Sequence, residues 1–265
     1  MKICIDAGHY GKYNRSPVNP AYYESDMAWK LHKYLAEALK LYGITVVMTR
    51  TSQAGDMKLE ERGRKASGCD LFLSIHSNAC QDSAADYPLA CCCVSGKVDK
   101  LGQQLADKVH AIMGTRQAGR IWKRQGNGGD YYGVLRGAAK VGVPGILLEH
   151  SFHTNKAATN WLLKDANLKK LAEAEAEVIA SYFGLKKSSQ PVSTKPVENK
   201  LTSAQPYLAK VTCDALNIRA GAGTSYAIKG CIRDKGTYTI VETKGNWGRL
   251  KSGAGWICLD YTKKV

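Results

Sequence analysis

The stretch Asp70-Leu71-Phe72-Leu73-Ser74-Ile75-His76-Ser77-Asn78-Ala79 decides the fold. Its apolar run is of strand length and gives way to polar residues at one end, the pattern of a strand buried within a sheet. Two other stretches repeat the plan: Lys2-Ile3-Cys4-Ile5-Asp6-Ala7-Gly8-His9 and Gly145-Ile146-Leu147-Leu148-Glu149-His150-Ser151-Phe152. In each, an apolar run ends in a residue that can bind metal or move a proton. Sites in open α/β sheets gather at the carboxyl ends of strands, so these residues can meet although they lie far apart in sequence.

Strand-like runs cover 2–6, 44–49, 70–75, 89–94 and 143–149. Helical periodicity fills the intervals. Residues 24–42 place Met27, Leu31, Leu35 and Leu39 on one side, and 99–113 do the same with Leu101, Leu105, Val109 and Ile112. Residues 165–183 supply Leu168, Leu171, Ala172, Val178, Ile179 and Tyr182, with Glu175 as the one polar break in the stripe. The alternation predicts an α/β domain over 1–185, with a mostly parallel twisted sheet flanked by helices. From Lys186 the chain turns polar and carries two prolines, so 186–205 is expected to be a flexible linker. Short strand-like pieces follow at 207–211, 216–219, 238–242, 247–250 and 255–259, separated by glycine turns. They predict a small C-terminal β-barrel over 206–265.

The 265 residues are 44% hydrophobic, enough for packed cores, and contain no apolar run long enough to span a membrane. The N-terminal apolar stretch is only about four residues long and runs into Asp6, unlike a secretory signal. The expectation is synthesis in the cytoplasm without a signal peptide. Nine cysteines are an odd count, and that start argues against a disulfide framework. Cys91-Cys92-Cys93 lacks the spacing of a structural zinc site and reads as small buried residues. Net charge is +15, which favours a polyanionic partner: nucleic acid, anionic membrane or a phosphate-rich bacterial wall. The charge is spread out. Residues 206–265 hold ten basic against four acidic residues, with no dense basic tract, so nucleic acid is not expected as a specific partner.

Four segments, in order, carry a specific resemblance. They are Ile5-Asp6-Ala7-Gly8-His9; Glu24 with the helix after it and then Val46-Val47-Met48-Thr49-Arg50; Leu59 to Ala66 leading into Ser74-Ile75-His76-Ser77-Asn78-Ala79; and Leu147-Leu148-Glu149-His150-Ser151-Phe152-His153-Thr154-Asn155. Over 1–185 the chain resembles the zinc-dependent N-acetylmuramoyl-L-alanine amidases of type 3. The resemblance implies Zn²⁺ as cofactor, His9, Glu24 and His76 as its ligands, and Glu149 as the catalytic glutamate. His153 departs from the family pattern, where an aliphatic residue is commoner, and is expected near the mouth of the site.

The residue chemistry agrees. Two imidazoles and a carboxylate suit Zn²⁺, and three protein ligands leave a position for water, whose pKa zinc lowers to roughly 7. A nearby glutamate can take the water's proton and pass it to the leaving amine. Glu24 also fits a plain helix-start acid and His9 a loop histidine. Glu149, directly after Gly-Ile-Leu-Leu, is costly to bury without a partner. His32 and His110 read as solvent-facing helix residues. His150 should point to the opposite side from Glu149. The glycine-rich segment 123–132 lacks the strand-to-helix setting of a phosphate cradle and reads as a lip of the substrate groove, with Tyr131, Tyr132 and Asn78 as substrate contacts.

Residues 206–265 resemble bacterial SH3-type wall-binding domains. The resemblance rests on Leu216-Asn217-Ile218-Arg219-Ala220-Gly221-Ala222-Gly223-Thr224-Ser225-Tyr226, Lys235-Gly236-Thr237-Tyr238, Asn246-Trp247-Gly248-Arg249-Leu250 and Gly255-Trp256-Ile257-Cys258. Trp247 and Trp256 are expected in the barrel core. Arg219, Tyr226, Lys229 and Arg233 are candidate contacts to wall carboxylates or phosphates. The resulting expectation is a hydrolase of bacterial peptidoglycan that cuts between N-acetylmuramic acid and L-alanine, as a phage lysis enzyme released through a membrane pore or by cell lysis. The alternatives are a host autolysin of the same activity and a non-catalytic wall-binding protein.

Overall fold

A computed structural model describes residues 1–187, 206–223 and 226–265. The chain divides into two compact units, Met1–Gln190 and Pro191–Val265. Apart from Lys186 and Lys187, the expected linker lies outside the described residues.

In the first unit the elements run β1 (Lys2–Ala7), α1 (Glu24–Lys40), β2 (Thr45–Met48), α2 (Leu59–Arg64), β3 (Leu71–Asn78), β4 (Leu89–Cys92), α3 (Asp99–Met113), β5 (Arg120–Trp122), the short hairpin β6 (Gln125–Gly126) and β7 (Gly129–Asp130), α4 (Gly133–Ala139), β8 (Gly145–Phe152), α5 (Lys156–Leu162) and α6 (Asp165–Tyr182). Six strands form one sheet in the order β2-β1-β3-β8-β4-β5. All its pairings are parallel except β4 with β8. The expected mostly parallel sheet flanked by helices is thus the observed one.

Strand alternation divides the apolar residues between the two faces. Ile3, Ile5, Leu71, Leu73, Ile75, Ile146 and Leu148 face α1, α3 and α6 in the larger core. Cys4, Phe72, Leu89, Cys91 and Leu147 face the smaller core completed by Val134, Leu135 and Ala138 of α4. Cys91, Cys92 and Cys93 are all buried, as small apolar residues would be. β3 and β8 run past their expected ends, because their polar tips continue to pair. His76 lies opposite Glu149, whereas Asn78 lies opposite Phe152, so β8 holds one extra residue there. Ser151 takes up the bulge with φ +61°.

His32 overturns its expected exposure. It is 1% accessible, and its Nδ1 sits 2.6 Å from the Trp29 carbonyl oxygen. The helical spacing explains this: Ala28, Leu31 and Leu35 neighbour it on the buried stripe of α1. Burial pushes its imidazole down to about 4. The neutral form is therefore favoured on folding, and the stabilisation is complete above the unfolded value near pH 6.5. It drains away as pH falls from there toward 4, a loss of about 3 kcal/mol across the window. Urea midpoints measured between those pH values should fall in the native chain. They should stay flatter in His32→Leu; equal slopes would exclude His32 as the cause. His110 is also not free in solvent: it is half-buried, with Nδ1 2.7 Å from Thr115 Oγ1.

The second unit is a seven-stranded antiparallel sheet. Its strands are β9 (Tyr207–Val211), β10 (Leu216–Arg219), β11 (Ile228–Ile232), β12 (Thr237–Lys244), β13 (Trp247–Leu250), β14 (Trp256–Cys258) and β15 (Thr262–Lys264), in the order β11-β10-β14-β13-β12-β9-β15. Ala209, Val211, Leu216, Ile232, Ile240, Leu250 and Ile257 make its core. Trp247 and Trp256 are half-buried rather than central, because alternation turns Gly248, Leu250 and Ile257 inward. All nine cysteines of the chain are free thiols. Among the described residues, no helix is long and apolar enough to cross a membrane.

Candidate active site

Three elements deliver the site. β1 ends in Ala7 and turns at Gly8, where a Cβ would come within 2.5 Å of the His76 ring. The absence of a side chain lets the His76 imidazole lie against the backbone. His9 follows with φ +57°, a left-handed conformation that aims its ring over the strand ends. Glu24 opens α1, and β3 carries His76. One donor atom from each of His9, Glu24 and His76 falls within 4.8 Å of the others.

Glu24 is 2% exposed yet fully engaged. His76 Nδ1 is 2.8 Å from its Oε1, and His9 Nε2 is 3.1 Å from its Oε2. The Ser77 backbone N–H donates to Oε1 at 3.1 Å, and Asn14 Nδ2 donates to Oε2 at 2.7 Å. Burial works to raise the Glu24 carboxyl, but the hydrogen bonds from His76 and His9 outweigh it and hold the group well below the usual carboxylate range.

Glu149 lies beside His76 in the β3–β8 register. Its Oε2 is enclosed and has no hydrogen-bond partner among the described residues. Burial, and then the neighbouring Glu24 carboxylate, push it well above the ordinary glutamate value. Two acids a short distance apart are thereby driven to opposite protonation behaviour, a mark of acid–base sites.

His150 points away from the site, as strand alternation requires. It is fully buried, its Nε2 is 2.8 Å from Glu175 Oε1, and its Nδ1 is 3.0 Å from the His76 carbonyl oxygen. The polar break in the α6 stripe is the partner of this histidine. His153 lies deeper than a mouth position: it is buried, with Nδ1 2.8 Å from the Ser77 carbonyl oxygen and 3.8 Å from Glu24 Oε2.

The three groove candidates are not equivalent. Tyr131 is exposed, with the Arg124 guanidinium 3.5 Å above its ring. Tyr132 packs into the smaller core, its Oη 3.5 Å from Cys91 Sγ. Asn78 uses its Oδ1 to accept from the Ala79 N–H at 2.8 Å, and its carbonyl accepts from the His153 N–H at 2.7 Å. Asn14, Ser77, Thr49 and Arg62 belong to the site without having drawn attention in the sequence. Asn14 had one local signal, a polar residue in a loop shortly before the helix that Glu24 opens.

In the second unit, Arg219 Nη1 donates to the Tyr226 carbonyl oxygen at 2.8 Å. Arg219 also lines a groove of about 710 Å³ with Asn246, Trp247, Asp260 and Tyr261. Arg233 lines a different hollow, with Asp234 and Tyr238. Arg219 and Arg233, two of the four candidate wall contacts, therefore line different hollows.

A mostly parallel α/β sheet here gathers a His–Glu–His cluster and a buried acid at its strand ends, the place where open α/β sheets form their sites. Residues 3–181 match the N-acetylmuramoyl-L-alanine amidase family, and the chain belongs to it. The endolysin of Bacillus phage SPP1 is 31% identical over 214 residues, which cover 79% of this chain and 75% of that protein. Among solved structures, the N-acetylmuramoyl-L-alanine amidase from Clostridium difficile 630 aligns with a TM-score of 0.58 at 25% identity, covering 69% of this chain and 96% of the other. AmiC2 of Nostoc punctiforme aligns with a TM-score of 0.60 at 24% identity, over 69% and 97%, a likeness of fold.

Proposed function

We propose that this protein is a zinc-dependent amidase that cuts peptidoglycan between N-acetylmuramic acid and the L-alanine of the stem peptide, in the manner of a phage endolysin. The observation that carries the reading is the meeting of His9, Glu24 and His76 within 4.8 Å beside the unpartnered Glu149 oxygen. The donor set fits the metal: two imidazole nitrogens and one carboxylate oxygen, with Glu24 already held ionised. When bound, zinc supplies Lewis acidity that polarises a carbonyl and acidifies water near neutral pH.

The chain's own residues do the rest. His9, Glu24 and His76 hold the ion. Glu149, its proton affinity raised by burial, takes a proton from the attacking water and returns it to the departing alanine nitrogen. Tyr131 is the groove contact that faces outward. Residues 206–265 act as an SH3-like wall-binding module tethered through 186–205, which raises the local concentration of the catalytic unit at its substrate.

Digestion of purified peptidoglycan with mass analysis of the products tests the bond. Intact stem peptides with a free L-alanine amino end, released from uncut glycan, are expected; new reducing sugar ends would overturn the reading. Glu24→Ala should retain no zinc after dialysis, where the native chain keeps one equivalent, read by elemental analysis; native-like zinc content in the variant would remove Glu24 from the ligand set. Tyr131→Ala should raise KM several-fold with an unchanged Tm, whereas Tyr132→Ala should lower Tm because that ring packs in a core. An unchanged KM in Tyr131→Ala would take Tyr131 out of the groove.

A further inference from the structure

His76 offers two ring nitrogens to two different surroundings. Nδ1 faces Glu24 Oε1, an oxygen of a fellow member of the cluster, at 2.8 Å. Nε2 faces the other way, 3.1 Å from Ser74 Oγ. Ser74 and His76 are two residues apart on β3 and so share a face of the sheet. The β1–β3 register sets Asp6 directly beside Ser74.

Asp6 and Ser74 are fully buried. Ser74 Oγ donates to Asp6 Oδ2 at 2.8 Å, and Thr49 Oγ1 donates to Oδ1 at 2.5 Å. Arg62 Nη1 stands 3.8 Å from Oδ2, while its Nη2 donates to the His9 carbonyl oxygen at 3.2 Å. A serine hydroxyl has only one proton to give. The single hydroxyl proton of Ser74 is therefore committed to Asp6, and Ser74 Oγ can only accept from His76. A proton on Nε2 is therefore accepted by Ser74, while Nδ1 is the nitrogen on the side of Glu24.

We propose that Asp6, acting through Ser74, is a positioning residue that holds His76 Nε2 and so turns Nδ1 toward the metal position, and that through Arg62 it also anchors the backbone of His9. The inference rests on the zinc reading above. A buried carboxylate that only stapled β1, β2 and β3 together would need no hydrogen-bonded route to an imidazole. Outer partners of metal-bound histidines orient the ring and raise its basicity, and losing one typically weakens metal binding about 10–100-fold.

The test measures zinc affinity of the full chain by chelator competition, alongside Tm. Ser74→Ala and Asp6→Asn should each weaken zinc binding by roughly 10–100-fold, and Ser74→Thr, which keeps the hydroxyl, should restore most of it. Nitrogen-15 spectra of the zinc-loaded native chain should show the metal on His76 Nδ1 and a protected proton on Nε2. Native zinc affinity in a folded Ser74→Ala chain, or metal on Nε2 in the native spectrum, overturns the proposal. Failure of the native chain itself to bind zinc would instead overturn the metal reading on which it stands. The spectrum of the native chain decides the matter even if a substituted chain does not fold.

Discussion

Replacing Glu149 by Gln is expected to cut the rate of wall hydrolysis by about 10²–10⁴-fold, the contribution of a positioned proton carrier. The same substitution should raise the Tm of the metal-free chain. Glu149 Oε2 is enclosed without a hydrogen-bond partner among the described residues, and its carboxyl is pushed well above its ordinary value by burial and by Glu24. A neutral amide of the same shape cannot ionise beside Glu24, so it removes the cost of a charged Glu149 there. Zinc content should stay at one equivalent, because Glu149 lies outside the ligand cluster. Activity and stability moving in opposite directions is the trade expected where a site is built against the stability of its own fold. Measured kcat, melting curves and metal analysis decide it; a variant that keeps its activity would remove Glu149 from proton transfer.

The second large effect concerns the opposite face of the same strand. His150 and Glu175 are both completely buried, joined at 2.8 Å, and tie β8 to α6. Burial alone would lower the His150 imidazole, but the charge and hydrogen bond of Glu175 win, and its pKa is raised. The two groups thus share a proton that neither holds alone in a core. Glu175→Ala strands the histidine and should destabilise the chain by about 3–5 kcal/mol. That corresponds to a Tm drop on the order of 10 °C for a unit of this size. The double replacement His150→Leu with Glu175→Leu should recover most of the loss, since apolar residues of similar volume often match or exceed a buried ion pair. Calorimetry on the single and double variants separates the outcomes, and a single variant within 1 kcal/mol of the native chain would mean that the pair contributes little.

Much of this molecule is readable in its sequence because its strands are buried on both faces. Apolar runs leading to His9, His76 and Glu149, interrupted only by Asp6 and Ser74, mark both the sheet and the chemistry. The long helices α1, α3 and α6 announce themselves by periodicity for the same reason. The short helices α2, α4 and α5, of six or seven residues, are too brief to show a period. α2 and α4 also pack through Gly63 and Gly137, where a Cβ would come within 2.1 and 2.2 Å of the facing backbone. Glycine inside a helix depresses the local signal while permitting the close crossing. His32 misleads because its neighbours Lys30 and Lys33 suggest a solvated face, whereas its position on the stripe is fixed by Ala28 and Leu35. Asn14 and the partners of Asp6 were illegible because their roles depend on tertiary proximity: Thr49, Ser74 and Arg62 come from three separate elements or their ends.

The reversed direction of β4 has a consequence for how such a site can diversify. Because β4 runs against β8, Leu89 at its start stands beside Glu149, and Arg120 at the start of β5 stands beside Leu89. The segments entering those two strands therefore border the chemistry on one flank, while the turn after β1, the start of α1 and the end of β3 supply its donors. The incoming segment before β4 is moored to β8 and the turn after it: Asp86 accepts from Ser151 Oγ at 2.7 Å, the Ser83 carbonyl accepts from Asn155 Nδ2 at 2.9 Å, and Tyr87 lies edge-on to Phe152. It contributes no atom to the His9–Glu24–His76 cluster. Residues there can change without removing any of the three donors, so the border of the site is free to vary while the His9–Glu24–His76 cluster stays constant.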